Sequence, residues 1–186
     1  MYKIIAILGP SGSGKDTLLN KIIKRCPNWN KIIFSTTRPM RDNETDQSYH
    51  FMSSSKFMAL FAANEWLTAN SFNNWFYGIA KRDLVEDQIN IGVFSPGAYH
   101  QLCQVPDIEV TGYLLNVGGD NKRLARQLLR EDNPDIEEIF RRYHTDKEDF
   151  AQLDTSALTI LDNTLITDIE KNVEKIIGQN RIDHSE

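Results

Sequence analysis

The chain has 186 residues, of which 40% are hydrophobic and 25% are charged, a balance typical of a folded globular protein. This length suits one domain, and we expect a single domain over residues 1–186. The net charge of −5 argues against a protein that coats nucleic acid, because that binding requires clustered Lys and Arg. The apolar run at residues 4–8 is too short for a membrane span or a secretion signal. We therefore expect a cytoplasmic protein with no membrane partner.

Aliphatic and β-branched runs recur along the chain and alternate with helical patterns. We predict β-strands at residues 3–8, 31–35, 89–94, 110–117 and 158–161. We predict helices at residues 15–25, 96–104, 120–130, 135–150 and 167–177. Asp120 is the expected cap of the helix at residues 120–130. This alternation predicts an α/β fold in which helices cover both faces of a five-stranded parallel sheet.

Residues 36–87 interrupt this alternation, because they contain no long aliphatic strand. The segment is rich in aromatic side chains, namely Tyr49, Trp66, Phe72, Trp75, Phe76 and Tyr77. These rings either stack on a ligand or pack in a small core. We predict an inserted subdomain at residues 36–87, within a core formed by residues 1–35 and 88–186. The insert is expected to contain a serine-capped helix and two strands, at residues 55–63, 65–72 and 75–78.

Residues 7–17 read ILGPSGSGKDT and follow the first predicted strand, which is the order found in a Walker A phosphate-binding loop. Glycines allow successive backbone N–H groups to face a phosphate, and the N-terminus of the following helix adds partial positive charge. Lys15 is placed to bridge the β- and γ-phosphates of ATP. The candidate ATP-binding residues here are Gly9, Pro10, Ser11, Gly12, Ser13, Gly14, Lys15, Asp16 and Thr17.

Asp16 stands where a Walker A loop usually has a Ser or Thr that ligates Mg²⁺. A carboxylate is also a hard oxygen ligand, so Asp16 can bind Mg²⁺ directly or through water. Thr17 offers a substitute hydroxyl at the next position. In the alternative interpretation, Asp16 only complements the helix dipole from the first turn. Asp16 and Thr17 are therefore the candidate metal ligands.

A second anion site is predicted in residues 35–51, which read STTRPMRDNETDQSYHF. Arg38 and Arg41 flank a proline in a segment expected to be a loop, and both can form forked hydrogen bonds to a phosphate. Tyr49 can donate a further hydrogen bond. The alternative is a solvated pair of surface arginines.

Four segments, GPSGSGK, STTRPMR, YHF and WFYG, occur in an order and spacing that resemble the guanylate kinase family over nearly the whole chain. The resemblance implies a P-loop NTPase fold with a nucleoside-monophosphate-binding insert and a helical lid at about residues 126–146. It implies transfer of the γ-phosphate of ATP, with Mg²⁺, to GMP or dGMP. We expect nucleotides as partners and a monomer or homodimer. The residues implied for the acceptor phosphate are Ser35, Arg38, Arg41, Tyr49 and Tyr77.

The resemblance also assigns roles to arginines of the predicted lid. The implied catalytic residues are Lys15, Arg38, Arg130 and Arg142, since phosphoryl transfer needs cations around the equatorial oxygens. Arg126, Arg130 and Arg142 resemble the family's transfer-site arginines, and Asn163 is similar to the family residue beside the adenine. Arg126 and Asn163 are therefore also implied to bind ATP. The alternative for the arginines is ordinary helix-surface charge paired with Glu131, Glu137 and Glu138.

The acceptor-base positions depart from the family pattern. The family reads guanine with a Glu and with a hydroxyl residue directly after Tyr-Gly, whereas this chain has Thr68 and Ile79 there. Glu65 lies three residues earlier and reaches the site only if the strand register shifts. Two alternatives follow. The GKD variant is similar to ribose 1,5-bisphosphate phosphokinases, and a guanylate-kinase-like module without catalysis can bind phosphorylated partners through the acceptor site.

Overall fold

The computed structural model describes residues 1–41, 44–130, 132–165 and 167–180. Its strands are β1 Tyr2–Leu8, β2 Asn30–Lys31, β3 Ser35–Thr36, β4 His50–Phe51, β5 Trp66–Phe72, β6 Trp75–Ala80, β7 Ile89–Val93, β8 Ile108–Asn116 and β9 Leu158–Asp162. Its α-helices are α1 Lys15–Arg25, α2 Ser54–Ala62, α3 Pro96–Leu102, α4 Asp120–Leu128, α5 Ile136–Ala151 and α6 Asp168–Gln179. Within these ranges, none of the helices combines the length and the apolar character that a membrane crossing requires.

The larger sheet has five strands in the order β2-β7-β1-β8-β9. In the parallel pairings, Asn30 of β2 lies opposite Asn90 of β7, and Gly112 of β8 lies opposite Leu158 of β9. Residues 4–8 of β1 are all buried, which fits a central strand covered on both faces. The predicted α/β fold with a five-stranded parallel sheet is confirmed.

The chain divides into two compact units, and the division passes through β1 and β8. The first unit contains Met1–Ala6 and Asn28–Thr111, and the second contains Ile7–Pro27 and Gly112–Glu186. In the second unit, α1 packs along α6 and ion pairs join Glu170 to Lys21 and Arg25. The glycine-rich loop and helices α4 and α5 also belong to the second unit, whereas residues 36–87 belong to the first.

The smaller sheet lies in the first unit and has the order β4-β3-β6-β5. β5 and β6 form an antiparallel hairpin, and its turn residues Asn73 and Asn74 have φ angles of 49° and 61°, as a type I′ turn requires. The ring of Phe57 stacks on Trp66 and Phe76, with centroids 4.4 Å and 5.3 Å away. These aromatic side chains therefore pack in a core. The two strands predicted for this segment are confirmed.

Most of the predicted strands and helices differ from the observed ones by one or two residues at an end, and two of the differences have a clear physical cause. The run predicted as one strand at residues 31–35 is divided, since β2 joins the larger sheet and β3 joins the smaller one. The helix predicted at residues 55–63 begins one residue earlier, as α2. Its cap is Ser53, whose hydroxyl accepts a hydrogen bond from the Lys56 N–H at 3.2 Å. An N-cap side chain bonds the N–H three residues later, and Ser53 is the serine at that distance from Lys56.

The prediction that Asp120 caps α4 is wrong. Gly119 occupies the cap position, and no side chain caps the helix there. The Asp120 carboxylate instead accepts hydrogen bonds from Nε and Nη2 of Arg123, at 3.1 Å and 3.0 Å. A charged guanidinium is a stronger donor than a neutral backbone amide, so the carboxylate turns along the helix.

Candidate functional site

The glycine-rich loop joins β1 to α1. Gly12 and Gly14 have φ angles of 78° and 94°, in the left-handed region that favours glycine. A Cβ on Gly12 would lie 2.5 Å from the carbonyl oxygen of Arg123, and a Cβ on Gly14 would lie 2.8 Å from Asn163 Nδ2. Backbone conformation and close packing both require glycine at these two positions, as expected of a phosphate-binding loop.

Lys15 begins α1 and is half-buried. Its Nζ donates hydrogen bonds to the carbonyl oxygens of Gly9 at 2.6 Å and Pro10 at 3.1 Å. Burial lowers the pKa of Lys15, and the nearby carboxylates of Asp16 and Asp146 oppose this shift. The ammonium group is thus held over the loop by neutral acceptors. A phosphate is a stronger acceptor than these carbonyls and can replace them.

Asn163 and Arg126 contact the loop and the segment that follows β9. Asn163 is buried and donates from Nδ2 to the carbonyl oxygen of Ser13 at 2.7 Å. Arg126 donates from Nη2 to the carbonyl oxygens of Asn163 at 2.8 Å and Thr164 at 3.1 Å. The hydroxyl of Ser13 is buried and has no hydrogen-bond partner among the described residues. The structure therefore brings three predicted site residues, Ser13, Arg126 and Asn163, into one network.

The predicted metal ligands Asp16 and Thr17 are both exposed in the first turn of α1. Their carboxylate and hydroxyl oxygens are the donors that Mg²⁺ prefers. No cluster of three or more His, Cys, Asp or Glu side chains suited to a metal occurs in the described part of the chain. Mg²⁺ commonly binds through one or two protein oxygens together with water and substrate phosphates, so this donor set fits it.

The predicted lid arginines lie in different environments. Arg142, on α5, donates from Nε to Glu138 Oε1 at 2.8 Å, and its charge contributes to lowering the pKa of Lys15. Hydrogen bonds from Arg141 and Arg142 lower the pKa of Glu138 to about 2. Arg130 follows the end of α4 and is exposed. The pairing expected for surface charge is found between Arg142 and Glu138, whereas Glu131 lies outside the described residues.

Arg123 and Asp146 were not among the sequence candidates. Arg123 is only 4% exposed, and its guanidinium lies 5.1 Å from the ring centroid of Tyr143. It pairs with Asp120 three residues earlier and with Asp146 on α5. The i,i+3 spacing of Asp120 and Arg123 is a readable signal for an ion pair. No local signal indicates that Arg123 is buried beside the phosphate loop.

The residues predicted to bind the acceptor phosphate lie in the first unit. Glu44 is also part of this site, although the sequence pattern did not indicate it. Arg38 donates from Nη1 and Nη2 to the two oxygens of Glu44, at 2.9 Å and 2.7 Å. The backbone N–H of Arg41 donates to Glu44 at 3.0 Å. The hydrogen bonds from Arg38 hold the pKa of Glu44 below its usual value. Glu44 therefore holds Arg38 in a forked geometry suited to an oxyanion.

Aromatic side chains complete this site. The guanidinium of Arg38 lies 5.4 Å from the ring centroid of Tyr49, and the Tyr49 and Tyr77 rings are 6.1 Å apart. Ser35 is buried in β3 and pairs with Gly78 of β6. The side chain of Arg38 is only 11% exposed, whereas Arg41 is exposed. The alternative of a solvated surface arginine therefore fits Arg41 but not Arg38.

The predicted acceptor-base positions are buried in the β5–β6 hairpin. Thr68 and Ile79 lie opposite each other in the hairpin register, and a bulge shifts that register between Trp66 and Thr68. Thr68 is 2% exposed, and its hydroxyl has no hydrogen-bond partner in the described ranges. Glu65 is exposed and accepts a hydrogen bond from Arg82 Nη1 at 2.6 Å. The carboxylate of Glu65 is therefore paired with Arg82, although the strand register shifts between Trp66 and Thr68.

Comparison with known proteins gives a consistent family assignment. A family model described as guanylate kinase matches residues 1–93, which is half of the chain. A guanylate kinase of Nostoc sp. is 40% identical over 91 residues, which are 48% of this chain and 45% of that protein. The chain thus spans about half the length of that curated relative. A guanylate kinase of Wolbachia pipientis is 29% identical over 181 residues, which are 93% of this chain and 86% of that protein.

A solved structure supports the fold. The crystal structure of guanylate kinase from Anaplasma phagocytophilum matches with a TM-score of 0.69 and 17% sequence identity. The match covers 100% of this chain and 88% of that one. The family model spans both the glycine-rich loop and the Arg38 site, which are the two places where the geometry suits a phosphate. The chain belongs to the guanylate kinase family.

Proposed function

We propose that this protein is an ATP- and Mg²⁺-dependent nucleoside monophosphate kinase, with GMP or dGMP as its leading acceptor. One observation carries the proposal: the chain has two separate sets of groups whose geometry suits a phosphate. The glycine-rich loop with Lys15 suits a triphosphate, and Arg38 with Tyr49 and Tyr77 suits a monoester. Both sets lie in the part of the chain that the guanylate kinase family model matches.

On the donor side, the loop amides and Lys15 bind the ATP phosphates and orient the γ-phosphate. Asp16 and Thr17, exposed in the first turn of α1, would hold the metal ion. Mg²⁺, when bound, supplies positive charge that neutralises the β- and γ-phosphate oxygens. Residues proposed to bind ATP are Gly9, Pro10, Ser11, Gly12, Ser13, Gly14, Lys15, Asp16, Thr17, Arg126 and Asn163.

On the acceptor side, the monoester phosphate binds Arg38 and competes with Glu44 for its guanidinium. Residues proposed to bind the acceptor are Ser35, Arg38, Arg41, Tyr49, Thr68, Tyr77 and Ile79. The residues proposed as catalytic are Lys15, Arg130 and Arg142 of the second unit and Arg38 of the first, each a cation that can stabilise phosphate charge. Residues 36–87 form the acceptor-binding insert and residues 126–146 form the lid. The protein acts in the cytoplasm as a monomer or homodimer.

A coupled assay of ADP release, run with every ribo- and deoxyribonucleoside monophosphate and with ribose 1,5-bisphosphate, tests this function. Turnover of GMP or dGMP above all other acceptors is the expected result. Turnover of ribose 1,5-bisphosphate alone would instead identify a sugar-phosphate kinase. ATP binding without turnover of any acceptor would identify a binding module. A Lys15→Met variant purified in the same way controls for contaminating kinases.

A further inference from the structure

Ser11 of the phosphate loop is held by an ion pair that does not belong to the loop. Its backbone N–H donates a hydrogen bond to Oδ2 of Asp146, on α5, at 2.7 Å. The same carboxylate oxygen accepts from Arg123 Nη1 at 3.1 Å. Arg123 Nη1 also donates to the carbonyl oxygen of Ser11 at 3.3 Å. The three residues therefore form a closed ring of hydrogen bonds within the second unit.

This contact has the chemistry of a bound phosphate oxygen. Backbone N–H groups of a loop that precedes a helix are donors for anions. The short hydrogen bond from Ser11 to a carboxylate is a charge-assisted bond of the same kind. Lys15, the other phosphate-binding donor, is turned onto the carbonyl oxygens of Gly9 and Pro10. The protein's own acceptors thus engage two donors that suit a nucleotide phosphate.

In the ion pair of Arg123 and Asp146, Asp146 can move away more easily than Arg123. Arg123 has a second carboxylate partner in Asp120 and packs against the ring of Tyr143. If Asp146 moves away, Arg123 keeps these contacts and is not left as an unpaired buried charge, which would be costly. Asp146 has a side chain that is 17% exposed, so water can solvate its carboxylate after a small displacement. Arg123 is the fixed part of the pair and Asp146 is the exchangeable part.

We propose that Asp146 is a built-in competitor for nucleotide phosphate: its carboxylate occupies the Ser11 N–H when no nucleotide is bound and leaves it when a phosphate binds. This inference rests on the proposed binding of ATP at the loop. Asp146 lies on α5 four residues after Arg142, one helical turn away. Release of Asp146 therefore removes one contact between the loop and the helix that carries a proposed catalytic arginine.

An Asp146→Asn variant distinguishes a competitor from a simple support of the loop. The amide keeps the shape of the carboxylate but removes its charge. If Asp146 competes with phosphate, the ligand-free protein loses thermal stability while its affinity for ATP increases by about tenfold, because a charge-assisted bond to the loop becomes a neutral one. If Asp146 only supports the loop, stability and affinity fall together, and the proposal is overturned. Unchanged affinity overturns it as well.

The measurement is calorimetric titration with Mg-ATP and, separately, with inorganic tripolyphosphate, combined with thermal unfolding of the ligand-free protein. Glu148→Gln is the matched control, since Glu148 is exposed on the same helix and the substitution removes the same charge. Its affinities should equal those of the wild type. A gain with tripolyphosphate but no ATP binding by either protein would support this inference and refute the proposed function. Binding of neither ligand by either protein would refute both.

A second measurement does not depend on how well the variant folds. In the wild-type protein, the carboxyl ¹³C signal of Asp146 should shift on saturation with Mg-ATP, because its hydrogen bond from Ser11 is lost. The carboxyl signal of Glu148 should stay in place. If the Asp146 signal does not move while ATP is bound, the carboxylate has not left the loop and the inference is wrong.

Discussion

The phosphate loop and the Arg38 site both suit a phosphate, but they are built in different ways. In the loop, the donors are backbone N–H groups whose directions depend on Gly12 and Gly14, with φ angles of 78° and 94°. In the Arg38 site, the donors belong to a side chain that the forked contact with Glu44 holds in place. Backbone donors depend on conformations that only glycine adopts readily. Side-chain donors depend on one ion pair.

The charged side-chain donors of the two sites also have different partners. Lys15 is bonded to neutral carbonyl oxygens, whereas Arg38 is bonded to a carboxylate. A phosphate that takes Arg38 leaves Glu44 without its strongest partner, so part of the binding free energy is lost. We therefore expect changes of single side chains to weaken phosphate binding more at the Arg38 site than at the loop.

Replacing Lys15 is expected to have the largest effect. In Lys15→Ala, kcat should fall by about 10³-fold or more, because the charge that stabilises the moving phosphoryl group is lost. Lys21→Ala is the control, since Lys21 lies on the same helix and pairs with Glu170 at the surface. Steady-state kinetics with ATP and the best acceptor measure both. A Lys15→Ala enzyme with wild-type kcat would show that the loop is not the donor site.

Replacing Arg38 should act on the acceptor more than on ATP. In Arg38→Ala, we expect kcat/KM for the acceptor to fall about 100-fold, since charged hydrogen bonds contribute about 1.5–3 kcal/mol. The affinity for ATP should change by less than about threefold, because the interactions of separate sites are nearly additive. The control is Arg82→Ala, an exposed arginine of the same unit that pairs with Glu65. Equal losses of kcat/KM for the acceptor and of affinity for ATP would show that Arg38 does not belong to a separate acceptor site.

Adding a methyl group at Gly12 tests the backbone origin of the loop. Gly12→Ala should destabilise the protein by about 1–3 kcal/mol, because its Cβ would meet the Arg123 carbonyl oxygen at 2.5 Å in a left-handed conformation. In the control, Gly178→Ala, the new Cβ has no heavy atom within 4 Å. Its helical position should give a gain of about 0.5–1 kcal/mol. Urea unfolding measures both, and a Gly12→Ala protein as stable as the wild type would contradict the close packing.

The smallest expected effect concerns the ion pairs of Glu138 on α5 and their loss in acid. The pKa of Glu138 is lowered from 4.5 to about 2 by Arg141 and Arg142. The ionised carboxylate therefore contributes fully to folding stability above pH 4.5, and this contribution is lost as the pH falls toward 2. Glu138→Gln should cost on the order of 1–2 kcal/mol at pH 7, reduced by partial solvent screening. The difference from the wild type should shrink to about 0.4 kcal/mol near pH 2. The matched control is Glu137→Gln, one residue earlier and exposed, which should leave the free energy of unfolding at pH 7 within about 0.5 kcal/mol of the wild type.

Local patterns were enough to predict the fold class and the phosphate loop. The alternation of aliphatic strands and helical patterns depends on burial with a regular period, which is visible in consecutive residues. The strands on either side of Asn73–Asn74 are also predictable from local patterns, because the conformations of a hairpin and its turn are set within a few residues. The bounds of short strands were less accurate, since β2 and β3 belong to different sheets that no local pattern distinguishes.

The sequence by itself determined that the chain has a Walker A loop, a parallel sheet and an arginine pair in a loop. Only the tertiary structure decided which charged groups meet. It buries Arg123 beside Ser11, more than 100 positions away in the chain, and places Asp146 on the loop N–H. It also separates Arg38, which is held by Glu44, from the exposed Arg41. The physical reason is that glycine conformation and periodic burial are local properties, whereas ion pairing depends on which helices and loops the fold brings together.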